Sequence, residues 1–114
     1  MFNRSSAQKM AYTDINPQDA HEKILNNQTP VIDVREPYEY AYGHIKGSQL
    51  IPLDSLASKV NELGAKDQEL IVVCASGSRS SYASTFLSNL GFTKILNLTG
   101  GMGYWQMFGL PVER

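Results

Sequence analysis

The chain has 114 residues, 42% of them hydrophobic, and a formal net charge of −1, the scale of one globular domain that buries about two-thirds of its unfolded surface. Its basic residues are dispersed, so the field of a nucleic-acid binder or a polybasic membrane anchor is missing, and the expected partner is a small molecule or a protein. No segment approaches the ~18 apolar residues of a membrane-spanning helix, and a single cysteine excludes an internal disulfide while suiting a reducing compartment, so a cytoplasmic location is expected.

Residues 1–10 carry no apolar stretch and read as a short polar leader, leaving 11–114 as the domain. Ala11 to Ile15 predicts a short edge strand. Asn16 then stands as N-cap and Pro17 at the first position of a helix to about Asn26, with Ala20, Ile24 and Leu25 as its buried stripe. Pro30 to Val34 predicts a second strand, apolar except for Asp33, an acid that needs a partner there. Pro37 opens a short helix that Gly43 closes. Its tyrosines, Tyr38, Tyr40 and Tyr42, suggest packing with hydrogen-bonded hydroxyls, because no basic groove accompanies them. A turn at His44 to Gly47 leads to a third strand at Gln49 to Ile51. A helix from Asp54 or Ser55 to Gly64 follows, lined by Leu56, Val60 and Leu63.

Leu70-Ile71-Val72-Val73 is short, uncharged and mostly β-branched, as a buried parallel strand reads. Ala83, Phe86, Leu87 and Leu90 fall at helical spacing, with Ser81, Ser84, Thr85 and Ser88 opposite and Gly91 as the stop. Thr93 to Leu98 predicts a fifth strand. A terminal helix from the Gly100-Gly101 turn to about Phe108-Gly109 ends before Pro111. Strands alternating with helices predict an α/β fold with a mainly parallel sheet covered on both faces and active loops at the C-terminal strand ends. Asp33, Arg35 and Cys74 all fall at such ends, so one crevice could gather them.

The chemistry points to Cys74-Ala75-Ser76-Gly77-Ser78-Arg79-Ser80, where the lone cysteine ends a strand and a small-residue loop opens a helix. Inward amides above a helix N-terminus make a cradle for negative charge, and such surroundings lower a cysteine pKa from about 8.5 into the range of roughly 3.5–7.5. A buried structural cysteine is the alternative, but it requires neither the glycine, the serines nor the arginine. Cysteine phosphatases wrap phosphate between a nucleophilic Cys and an Arg with five intervening residues. Here four, Ala75 to Ser78, separate Cys74 from Arg79. A smaller ring fits a terminal sulfur better than a phosphoryl group. One cysteine and two distant histidines make no recognisable ligand set, so neither a metal nor an organic cofactor is expected.

Three blocks then carry a resemblance: Val31-Ile32-Asp33-Val34-Arg35-Glu36-Pro37-Tyr38-Glu39-Tyr40 with Gly43-His44-Ile45 and Gly47; the Cys74 loop with Arg79-Ser80-Ser81; and Gly100-Gly101 with Trp105. In this order they resemble a single-domain rhodanese, a family of sulfurtransferases, from about Thr13 to Val112. The resemblance implies a five-stranded, mainly parallel, three-layer domain. It also implies a reaction in which Cys74 takes sulfur from thiosulfate or another persulfide donor and hands it to cyanide or a thiol acceptor. The amides of Ala75 to Ser80 would hold the thiolate and persulfide charge, and Arg79 would either contact the donor's anionic group or brace the loop. Asp33, Arg35 and Glu36 resemble the family's supporting network. His44 suits acid–base work or a structural hydrogen bond, and Trp105 reads as core. Ala75 departs from the basic or polar residue common in the family, which implies weak thiosulfate binding and leaves room for a protein or small-thiol persulfide as donor. Two other readings stand beside this one: a cysteine-dependent phosphatase or arsenate reductase, and a non-catalytic rhodanese-like interaction module.

Overall fold

The computed structural model describes residues 12–114; the expected leader and Ala11 lie outside the described residues. The elements are β1 (Thr13–Ile15), α1 (Pro17–Asn27), β2 (Val31–Asp33), α2 (Pro37–Tyr42), β3 (Gln49–Leu50), α3 (Leu56–Lys59), β4 (Leu70–Val73), α4 (Ser78–Asn89), β5 (Ile95–Leu98) and α5 (Gly101–Met107). The helix expected from Asp54 or Ser55 to Gly64 is instead a single α-helical turn between two 3₁₀ turns, Leu53–Ser55 and Val60–Glu62. So short a segment gains its order from burying Leu56 and Leu63 rather than from helix propagation. β4 has the expected bounds, and the other four strands are shorter than expected.

All pairings in the five-stranded sheet, ordered β1-β5-β4-β2-β3, are parallel. The central strand β4 is buried along its whole length, as its uncharged run requires. Its side chains alternate between two cores. Leu70, Val72 and Cys74 join Leu56, Ala83 and Leu87 on one face. Ile71 and Val73 join Ala20, Met102 and the fully buried Trp105 on the other. The layers are therefore α3 and α4 on one side and α1 and α5 on the other.

Local signals hold at both proline starts. Asn16 Oδ1 accepts the Asp19 N–H at 2.8 Å with Pro17 in the first turn, and Pro37 opens α2. Two stripes differ from expectation. Leu25 is 67% exposed, leaving α1 to bury Ala20 with Ile24 partly covered. On α4 the buried residues are Ser80, Ala83, Ser84 and Leu87, whereas Leu90 is 40% exposed and Phe86 packs at the margin. The small serines let the first turns of α4 lie close on the sheet, and this rotates the buried face away from the purely apolar stripe. Ser84, expected on the solvent side, is thus enclosed.

Candidate active site

Cys74 follows β4 directly and is 1% exposed. Gly77 takes a left-handed φ of 112° before the first turn of α4, a conformation that favours glycine. It turns its own N–H onto Cys74 Sγ at 3.1 Å. Ser80, one turn into α4, places its hydroxyl 3.4 Å from the same sulfur. Burial alone pushes the Cys74 thiol up, but hydrogen bonds from the Ser80 side chain and from the backbone of Ser80, Gly77 and Ser76 outweigh it, so the pKa lies below that of a free thiol. Of the amides expected from Ala75 to Ser80, those of Ser76, Gly77 and Ser80 act on the sulfur.

Two further elements fix the loop. Ser80 Oγ also lies 2.5 Å from Asn97 Oδ1, and Asn97 Nδ2 donates to Asp14 Oδ1 at 3.1 Å, tying the cysteine's neighbour across β5 to β1. The start of α5 holds the other side: Met102 N–H donates to the Cys74 carbonyl at 2.8 Å and Gly103 N–H to the Ala75 carbonyl at 3.0 Å. A Cβ at Gly101 would stand 2.4 Å from the Cys74 carbonyl oxygen. Only glycine lets α5 come this close, which gives the Gly100-Gly101 block a physical meaning.

The anticipated supporting residues do not converge on the sulfur. Asp33 pairs with Arg35, whose Nε and Nη2 donate to the carboxylate at 2.8–3.1 Å, and Nη2 also donates to the Gly43 carbonyl at 2.8 Å. Both residues are buried, and they anchor α2 rather than face Cys74. Glu36 precedes α2 and donates its backbone N–H to Glu39 Oε1 at 2.9 Å. His44 stacks on Tyr40 at 3.7 Å between ring centroids and bonds the Tyr40 carbonyl through Nδ1 at 2.8 Å, the structural alternative for this histidine. Of the three tyrosines, Tyr40 donates its hydroxyl to the Ser48 carbonyl, while Tyr38 and Tyr42 are exposed.

Arg79 reaches out of the loop to α2. Its two terminal nitrogens each donate to a Glu39 carboxylate oxygen at 2.8 Å. The hydrogen bonds from Arg79 hold the Glu39 carboxyl well below its usual range, to about 2, and Glu39 in turn raises Arg79. The sequence marks Glu39 and Gly101 only as members of the resembling blocks, Gly101 also as a turn, and gives Asn97 and Asp14 no role beyond their strands. Among the described residues no three His, Cys, Asp or Glu side chains are gathered as a metal set. No helix there is long and apolar enough to cross a membrane.

A rhodanese-like domain model matches residues 16–108. A sulfurtransferase of Allochromatium vinosum is 34% identical over 87% of this chain and 92% of its own length. The thiosulfate sulfurtransferase GlpE of Ectopseudomonas mendocina is 36% identical over 81% and 83%. Among solved structures, a rhodanese-related protein from Thermoplasma volcanium superposes with a TM-score of 0.82 at 40% identity, covering 90% of this chain and 98% of that one.

Proposed function

This chain belongs to the rhodanese-like sulfurtransferase family, and from that premise we propose that it transfers sulfane sulfur through a persulfide on Cys74. The observation that carries this reading is a lone cysteine whose sulfur receives the Gly77 amide at 3.1 Å. Hydrogen-bond donors fixed around a developing anion cost no reorganisation when the charge forms. The thiolate attacks the outer sulfur of a donor. With thiosulfate, the S–S bond breaks and sulfite leaves with the bonding pair, so that Cys74 carries the added sulfur as a persulfide anion. Cyanide or a thiolate acceptor then attacks that outer sulfur and expels the Cys74 thiolate. Donor and acceptor thus react in separate half-reactions, the pattern of ping-pong kinetics.

Ser76, Gly77 and Ser80 hold the charge in this scheme, and Ala75 and Ser78 complete the small ring. Arg79 braces the loop against α2 through Glu39. Asp33, Arg35, Glu36 and His44 keep α2 and its flanks in place. Cys74 lies at the floor of the loop with 1% exposure, so only the tip of a donor meets it, which suits a terminal sulfur. Asp33 and Glu39 are each committed to an arginine, and neither is free to protonate a leaving alkoxide as a phosphatase would require.

Intact mass after incubation with thiosulfate should show the gain of one sulfur, and cyanide should remove it. Cys74→Ser should show no adduct. An adduct that persists in Cys74→Ser, or its absence from the wild type with every sulfane donor, would sink the persulfide scheme. Hydrolysis of an aryl phosphate that depends on Cys74 would put the phosphatase reading in its place.

A further inference from the structure

Arg79 is the one cation between Cys74 and Ser80, and its two terminal nitrogens lie on the two oxygens of Glu39. The pair spans α4 and α2 at the rim of the site, with side chains 34% and 19% exposed. A bidentate fork commits both terminal nitrogens to Glu39 and neutralises the guanidinium charge that would otherwise attract another anion. Ala75 adds no charge, so the positive contribution of the rim is cancelled where the donor enters. What remains around Cys74 Sγ is the Gly77 amide at 3.1 Å with the backbone of Ser76 and Ser80, neutral groups able to hold one negative charge on sulfur.

We infer that Glu39 is a specificity-determining residue: by occupying Arg79 it sets the site against dianionic thiosulfate and toward a hydropersulfide, which carries at most one negative charge and reacts as R–S–SH, as sulfur donor. The inference rests on the reading of Cys74 as a sulfur carrier. For the favoured donor R–S–SH, the Cys74 thiolate attacks the outer sulfur and the S–S bond breaks. The thiol R–SH leaves with the bonding pair and the hydropersulfide's proton, and Cys74 is left as the persulfide anion. Sulfite departure from thiosulfate, by contrast, places a dianion beside a rim whose arginine is already paired with Glu39.

The test compares rates of sulfur loading on Cys74, read by intact mass, from thiosulfate and from 2-hydroxyethyl hydropersulfide. Glu39→Gln frees the guanidinium with little change of shape. It should raise the thiosulfate-to-hydropersulfide rate ratio by about five- to tenfold at low salt, the scale of one partly screened charge. Adding Arg79→Ala to that variant should abolish the gain. The wild type supplies an independent readout that does not depend on how the variant folds. Its thiosulfate loading should speed up as salt is raised from about 0.02 to 0.2 M, because thiolate and dianion meet without a free cation and their repulsion is screened. A ratio unchanged by Glu39→Gln, or wild-type thiosulfate loading that slows with salt, would overturn this inference while leaving the carrier reading intact. Failure to load from either donor would remove both.

Discussion

Two arginine–carboxylate pairs stand at the same end of the sheet, and they differ in what surrounds them. Asp33–Arg35 has side chains 0% and 7% exposed and a further bond from Arg35 to the Gly43 carbonyl. Glu39–Arg79 has the same bidentate chemistry with 19% and 34% exposed. A buried pair cannot lose one member without leaving the other charge unsolvated, whereas a pair at the surface can open and let water take its place. The first is therefore architecture, fixing the chain as it leaves β2 and the far end of α2. The second can act as a gate on charge at the mouth of the site.

The comparison breaks most easily at Arg35. Arg35→Ala should cost about 3–5 kcal/mol in urea unfolding, since Asp33 is left buried and unpaired; a loss below about 1 kcal/mol would erase the distinction between the two pairs. Glu39→Gln should cost no more than about 1 kcal/mol at neutral pH. Moderate salt, near 1 M, should shrink that smaller loss while leaving most of the Arg35→Ala loss in place, because screening reaches exposed charges far better than buried ones.

Acid sharpens the same contrast. The Glu39 carboxyl titrates at about 2 when folded against an ordinary value of 4.5. A depressed carboxylate pKa contributes stability that is whole above the ordinary value and is lost as pH falls toward the folded one. The stability gap between wild type and Glu39→Gln should thus narrow between pH 4.5 and about 2, which urea titrations across that window would check. The smallest effect belongs to Ser84, whose hydroxyl is buried with no hydrogen-bond partner. Ser84→Ala removes a group that gains nothing from its place, so the change should fall within about 0.5 kcal/mol or stabilise slightly. A loss above about 1 kcal/mol would mean that the hydroxyl has a role in α4 packing.

The Cys74 environment offers one more check. Thiolate absorbance, taken as the difference between wild type and Cys74→Ser, should titrate below the ordinary thiol range, and Ser80→Ala should move it upward.

Much of the scaffold is legible in the sequence, because it rests on local chemistry. Pro17 and Pro37 mark helix starts, Asn16 caps α1, and the run Leu70 to Val73 reads as a strand covered on both faces. Cys74 at that strand's end, followed by Gly77, places a thiol over a helix start. Asp33 and Arg35 are two residues apart on extended chain, so their side chains share a face and their pairing is local. Side-chain faces were less legible. The stripe on α4 reads as Ala83, Phe86, Leu87 and Leu90 by hydrophobicity, yet close approach to the sheet favours small residues and buries Ser80 and Ser84 instead.

What the sequence by itself determined is therefore a parallel α/β domain with its one cysteine in an amide-lined loop, since strand runs, caps and turns depend on neighbours only a few residues away. The state of that loop was decided by the tertiary structure. Glu39 meets Arg79 across 40 residues of chain, and Asp14 meets Asn97 across 83. No local periodicity encodes such contacts, because they exist only once separate strands and helices have been packed side by side. Through the first of them, the loop's only arginine turned from a free cation into half of an ion pair.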